Sequence, residues 1–126
     1  MNITRTAISL NVADITASAA FATTHFGYQQ EMAADGFVSL THPTGGGNII
    51  FLETGLSTFR PSENAGPAGQ GLLLVFVIDD LDAQYARIAA SGARVVTEPE
   101  TEPWGERYCQ FADPNGIIWQ LVQWVD

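Results

Sequence analysis

Pro103-Trp104-Gly105-Glu106-Arg107-Tyr108-Cys109-Gln110-Phe111-Ala112-Asp113-Pro114-Asn115-Gly116-Ile117-Ile118-Trp119-Gln120-Leu121 reads as a strand, a tight turn and a second strand. Asp-Pro-Asn-Gly carries the turn chemistry: Pro114 fixes φ, and Asn115-Gly116 tolerates positive φ. Apolar and aromatic residues flank the turn on both sides, as a hairpin requires. The pattern predicts strands near 106–112 and 117–124.

Working outward, the chain repeats one plan. Residues 6–12 alternate as a strand does. Asp14 is placed to cap a helix over 15–26, whose stripe is Ile15, Ala19, Phe21, Ala22 and Phe26, and Gly27 stops it. Strands are predicted at 28–33, 36–42 and 48–54. In the second half, Leu72 to Ile78 is a nearly continuous apolar strand. Asp79 or Asp80 caps a helix over 81–91 with Leu81, Tyr85, Ile88 and Ala89 as its stripe, Gly92 stops it, and strands follow near 93–98, 106–112 and 117–124. Val12-Ala13-Asp14-Ile15 overlays Ile78-Asp79-Asp80-Leu81. Gly47-Asn48-Ile49-Ile50-Phe51-Leu52 overlays Gly116-Ile117-Ile118-Trp119-Gln120-Leu121. Two βαβββ repeats of roughly 55 residues account for this. They cover 3–54 and 71–124, and the linker 55–70 is rich in Gly, Pro, Ser and Asn. A linker of that length is either flexible or functional.

The bulk numbers narrow the function. A chain of 126 residues with 46% hydrophobic content is one globular domain's worth. Five basic residues against fourteen acidic give a net charge of −9. Phosphate binding needs a basic patch, so neither nucleic acid nor an anionic membrane is expected as partner. The field of such a chain favours cationic small molecules. Cys109 is the only cysteine, which excludes an intrachain disulfide and any cysteine cluster for zinc or iron–sulfur. There is no basic segment followed by an apolar run at the N-terminus and no stretch long enough to span a bilayer, so a cytoplasmic location is expected. His25 near a helix end and His42 before Pro43 read as structural or surface residues, and no Ser-His-Asp or Cys-His arrangement emerges.

Pro-Trp-Gly, a short strand, Asp-Pro-Asn-Gly and an aliphatic strand resemble the second half of the glyoxalase, bleomycin-resistance and extradiol-dioxygenase superfamily (vicinal oxygen chelate fold). The likeness is greatest to its bleomycin-resistance branch and covers nearly the whole chain. It implies an α+β fold in which each βαβββ repeat curls into a half-barrel. The two half-barrels enclose a cup within a single domain over 1–126, and swapped or paired homodimers are implied. Metal-using members are similar in carrying one ligand on the first and fourth strands of each repeat. Stepping back from Val12 and Ile78 reaches Ala7 and Leu73. Stepping on from Gly47 and Gly116 reaches Phe51 and Gln120. Imidazole, carboxylate or thiolate is needed to hold a catalytic divalent ion, so no metal and no other cofactor is expected.

Without metal ligands the cup is expected to bind rather than to react. Alternation places Ile49, Phe51 and Glu53 on one face, and Ile118, Gln120 and Val122 on another, with Trp119 turned under a helix. The resemblance implies a ligand groove walled by Met32, Phe37 and Trp104. Tyr108 and Gln110 share a face of 106–112, which alternation assigns either to the cup or to the helix side. The expected ligand-binding set is therefore Met32, Phe37, Phe51, Glu53, Trp104, Tyr108, Gln110 and Gln120, with no catalytic residue. Glu98, Glu100, Glu102 and Glu106 beside an aromatic wall suit a planar cation. The expected function is sequestration of a hydrophobic or aromatic, cationic compound such as a bleomycin-like antibiotic. The alternative is a glyoxalase- or dioxygenase-like enzyme with an altered site.

Overall fold

The computed structural model describes residues 1–125. The chain forms two compact units, Met1–Ala68 and a second from Gly69 on. The first contains β1 (Ala7–Val12), α1 (Ile15–Phe26), β2 (Gln29–Ala34), β3 (Phe37–Thr41) and β4 (Asn48–Glu53). The second contains β5 (Leu73–Val77), α2 (Leu81–Ala90), β6 (Arg94–Thr101), β7 (Glu106–Ala112) and β8 (Ile118–Trp124). Each is a βαβββ unit with a four-stranded mixed sheet. The strand orders are β1-β4-β3-β2 and β5-β8-β7-β6. The crossover makes β1 and β5 parallel to β4 and β8, and the remaining pairs are antiparallel hairpins. The fold is therefore the α+β arrangement expected.

Each sheet is closed by its helix on one face. In the first unit α1 lies over β3 and β4. Leu10, Val12, Val38, Leu40, Ile49 and Phe51 point to that side and are buried. The helix contributes Ser18, Phe21, Ala22 and His25. The buried stripe thus runs through Ser18 and His25, whereas Ile15, Ala19 and Phe26 sit at its margins. Ser18 is wholly buried, and its small side chain takes little room on the helix's inner face. Asp14 accepts from the Ala17 amide at 3.1 Å, as a helix cap should. The segment expected as a linker is bonded to this unit: Asn11 donates its side-chain amide to the Asn64 and Gly66 carbonyls, and the Ala68 amide donates to the Asn11 carbonyl.

In the second unit α2 lies over β6, β7 and β8. Leu81 and Ile88 are its buried residues, and Tyr85 stacks on Phe111 with ring centroids 5.7 Å apart. Leu74, Cys109, Phe111, Trp119 and Leu121 complete this core, with Phe76 stacked on Trp119 at 5.6 Å. Burying an aromatic side chain of this kind contributes about 1.5–3 kcal/mol. Neither Asp79 nor Asp80 caps α2 with its side chain. The Leu81 amide donates instead to Oε1 of Gln123 on β8, at 3.1 Å. Arg107 donates to both carboxylate oxygens of Asp82, at 2.9 and 2.7 Å, and so ties the first turn of α2 to β7.

Two sequence expectations change. The strand expected near 93–98 continues through Pro99 to Thr101. Proline is tolerated because β6 is an edge strand and its register shifts between Thr97 and Glu100. In the Asp-Pro-Asn-Gly turn, only Gly116 has positive φ (82°), and among the described residues none other than glycine does. The Gly116 amide donates to the Asp113 carbonyl at 2.9 Å. Pro114 and Asn115 therefore occupy the two central positions of the turn, with Gly116 after them.

Asp113 is only 4% exposed. Its carboxylate accepts from the amides of Asn115 (2.9 Å) and Ile117 (3.0 Å) and from the indole N–H of Trp119 (3.2 Å). Three donors converge on one buried charge, and the loss of its carboxylate leaves them without that partner. Asp113→Ala is expected to lower unfolding stability by about 2–3 kcal/mol. Urea denaturation followed by Trp emission measures this, and a change below about 0.5 kcal/mol, the range of a neutral surface substitution, contradicts it.

Candidate functional site

The face of the second sheet turned away from α2 carries polar and aromatic groups in a defined order. Register places Tyr108, Gln110 and Ala112 of β7 opposite Val122, Gln120 and Ile118 of β8. Val75 of β5 pairs with Gln120 on the other side. The register shift in β6 brings Thr97 opposite Gln110 and Glu100 opposite Tyr108. A chain of hydrogen bonds crosses three strands. The Thr97 hydroxyl donates to Gln110 Oε1 at 2.7 Å, and Gln110 Nε2 donates to Gln120 Oε1 at 2.8 Å. The face that alternation left open for Tyr108 and Gln110 is thus the one away from the helix, and Gln120 shares it.

Trp104 stands at the end of this sheet, in the turn between β6 and β7. The Gly105 amide donates to the Glu102 carbonyl, and the Val125 amide donates to the Gly105 carbonyl at 2.8 Å. Gly105 has φ 89° and lies so close to the Val125 carbonyl that a Cβ would collide with it, so the Pro-Trp-Gly turn requires glycine there. Trp104 is held out at 66% exposure, and its indole N–H donates to Glu106 Oε1 at 3.1 Å. The Tyr108 hydroxyl donates to Glu100 Oε2 at 3.1 Å. This hydrogen bond, reinforced by desolvation and by the charges of Glu100 and Glu102, pushes the phenol up to about 12.

In the first unit Met32 and Phe37 share the face away from α1. Met32 pairs with Ser39, and Ala34 pairs with Phe37. Met32 is 60% exposed, Phe37 is partly buried, and Ser39 donates to Glu31 at 3.3 Å. Near β1 the returning segment leaves a groove of about 380 Å³ lined by Ser9, Asn11, Phe59, Glu63 and Asn64. Sequence reading missed this groove because Asn11 and the loop that it binds lie far apart in the chain.

Phe51 and Glu53 require a correction. They alternate with Ile49 as expected, but that face points to the helix: Phe51 is 0% exposed and Glu53 stands at its solvent-exposed end. The pairing of β1 with β4 sets Ala7 beside Asn48 and Ser9 beside Ile50, while that of β5 with β8 sets Leu73 beside Ile118 and Val75 beside Gln120. Ile50 is therefore the counterpart of Gln120. Overlaying the two repeats on their glycines slid the fourth strand by one residue, which exchanges its faces. Ile50 has no donor atom for a metal, so the expected lack of ligands at these positions is the same in the corrected register. Among the described residues no group of three or more His, Cys, Asp or Glu is placed to hold a metal ion. The residues present do not fit a metal centre of the kind the superfamily uses.

The nucleophilic and basic groups are occupied structurally. His42 accepts from the Thr44 amide at Nδ1 (3.2 Å), which leaves Nε2 to donate to the Phe26 carbonyl at the end of α1 (2.7 Å). His25 is buried against Phe21, with ring centroids 4.8 Å apart. Cys109 is wholly enclosed, and burial pushes its thiol up to about 11. A thiolate nucleophile is not available at neutral pH.

With this geometry in view, comparison with known proteins shows the family. The Glyoxalase/Bleomycin resistance protein/Dioxygenase superfamily profile matches residues 3–121. The chain belongs to that superfamily. A solved glyoxalase/bleomycin resistance protein/dioxygenase from Nocardioides is 26% identical, with a TM-score of 0.80 over 100% of this chain and 86% of that one. TnmS3, an antibiotic binding protein from Streptomyces, shares the fold at 23% identity and a TM-score of 0.74, over 98% of each chain. An uncharacterized protein of Mycobacterium bovis is 40% identical over 55 residues, which cover 44% of this chain and 36% of that protein. The match thus spans about a third of this relative's length.

The Tyr108–Glu100 bond gives a pH signature. A raised phenol pKa favours the folded chain below the ordinary value of 10.0, and this contribution is lost as pH rises from there towards about 12. Alkaline titration of tyrosinate absorbance is expected to show a step near pH 12 that Tyr108→Phe removes and Glu100→Gln moves down towards 10.0. An unchanged curve for Glu100→Gln contradicts the assignment.

Proposed function

We propose that this superfamily member is a cytoplasmic, non-catalytic binding protein that sequesters an aromatic, cationic small molecule of the antibiotic class. One observation carries the reading. The face of the second sheet away from its helix offers an exposed indole, a phenol and carboxylates, while the histidines and the cysteine are engaged elsewhere. An indole face attracts a planar cation, and the neighbouring carboxylates of Glu100, Glu102 and Glu106 match its charge. The net charge of −9 raises the local concentration of such a ligand. That TnmS3, which shares the fold, is an antibiotic binding protein is consistent with this use. Met32 and Phe37 give the first unit apolar surface of its own on the face away from α1.

An aromatic cation is expected to quench Trp emission on binding, and Trp104→Ala is expected to weaken binding by about 1–3 kcal/mol with the fold intact. Affinity should fall as salt rises, since exposed carboxylates are screened over a Debye length of about 8–10 Å. A folded Trp104→Ala protein with unchanged affinity places the ligand elsewhere.

The protein is proposed to act as a homodimer, swapped or paired. Both sheets end in edge strands, and Leu73, Val75 and Val77 on β5 are 47%, 50% and 64% exposed. An apolar edge strand of this kind is stabilised by a partner. Light scattering at micromolar concentration is expected to give twice the chain mass, and a monomer mass contradicts the proposal.

A further inference from the structure

The three-strand hydrogen-bond chain has a direction and an end. Thr97 begins it, donating its hydroxyl hydrogen to Gln110 Oε1 at 2.7 Å. Gln110 then has its amide hydrogens to give, and Nε2 donates to Gln120 Oε1 at 2.8 Å. Gln120 is the terminus. Its side chain is oriented by this bond, its residue is 8% exposed, and its own Nε2 hydrogens meet no acceptor among the described residues. Apolar Val75 and Val122 flank it on this face. The carboxamide nitrogen keeps contact with solvent at this face, so its hydrogens are available to a ligand that arrives there. One aimed polar group within an apolar surface is also how small-molecule sites fix ligand orientation.

We propose that Gln120 is the specificity-determining residue of the site, donating from Nε2 to a neutral carbonyl-type oxygen on the aromatic ligand. This rests on the binding reading above and adds the ligand's chemical class: an aromatic cation that also bears a ketone, quinone or amide oxygen. A carboxylate ligand is disfavoured because Glu100, Glu102 and Glu106 carry like charge nearby in the same unit. Gln110 and Thr97 are positioning residues, which hold the Gln120 carboxamide so that its hydrogens and not its oxygen face the ligand.

Two soluble cations that differ in one group test this: 4-acetylbenzylamine, which has the carbonyl, and 4-ethylbenzylamine, which lacks it. Each is titrated to millimolar concentration into uniformly 15N-labelled full-length protein. The side-chain amide signals of Gln120 are identified by their loss in Gln120→Leu and Gln120→Met. The wild-type protein is expected to bind the ketone about three- to tenfold more tightly, the size of one net hydrogen bond. The Gln120 amide signals should shift with the ketone alone, and both variants should bind the two probes equally. Equal affinity in the wild type, or a preference that survives in both variants, overturns the Gln120 assignment and leaves the aromatic-cation reading standing. If neither probe perturbs Trp104, Tyr108 or Gln120, the binding reading itself fails and the Gln120 proposal with it.

Discussion

The buried carboxylate of Asp113 fixes the second unit. Without it the turn amides at Asn115 and Ile117 and the Trp119 indole would need other partners in a place closed to water. With it, the turn and the indole share one anchor, and the register of β7 on β8 can take only one value. Register is decisive here because the side-chain period of a strand is two. One value sends Cys109, Phe111, Trp119 and Leu121 under α2 and leaves Tyr108, Gln110 and Gln120 on the other side. A slip of one residue would bury the glutamines and expose the aromatic core.

From that register the chemistry of the two faces follows. The helix side is dry and closed, and its thiol is held protonated by burial. The other side holds hydrogen-bonding groups at fixed points: a phenol tied to a carboxylate, an indole tied to a carboxylate, and a row of amides that begins at a threonine. Bound side chains of this kind lose little further freedom when a ligand arrives, so less binding free energy is lost to ordering them. His42 and Cys109, the groups with intrinsic reactivity, serve as a helix-end donor and a core filler. The proposed binding role draws on this division of the groups.

Much of this was legible in the sequence because local signals and the repeat agreed. The cap at Asp14, the helix over 15–26 and the strand over 106–112 match their predicted bounds. What escaped was set by non-local contacts. The Leu81 amide is capped from β8 by Gln123 and not by the neighbouring aspartates. Strand β6 runs through Pro99 only because it lies at an edge and bulges there. Phe51 was assigned to the wrong face because aligning glycines ignores the exact spacing between turn and strand, which differs by one residue between the repeats. The close approach of Gly105 to Val125 beside the projecting Trp104 is likewise a contact that no local pattern reveals.

The account's central claim is that the face opposite α2 receives a ligand while the Asp113–Trp119 side stays a closed core. Side-chain chemical-shift mapping with 1-naphthylmethylamine tests it directly. The account predicts large shifts at Tyr108, Gln110 and Gln120, with the Trp119 indole N–H and the Phe111 ring unmoved. Shifts concentrated at Trp119 and Phe111, with the three open-face side chains unchanged, would contradict it.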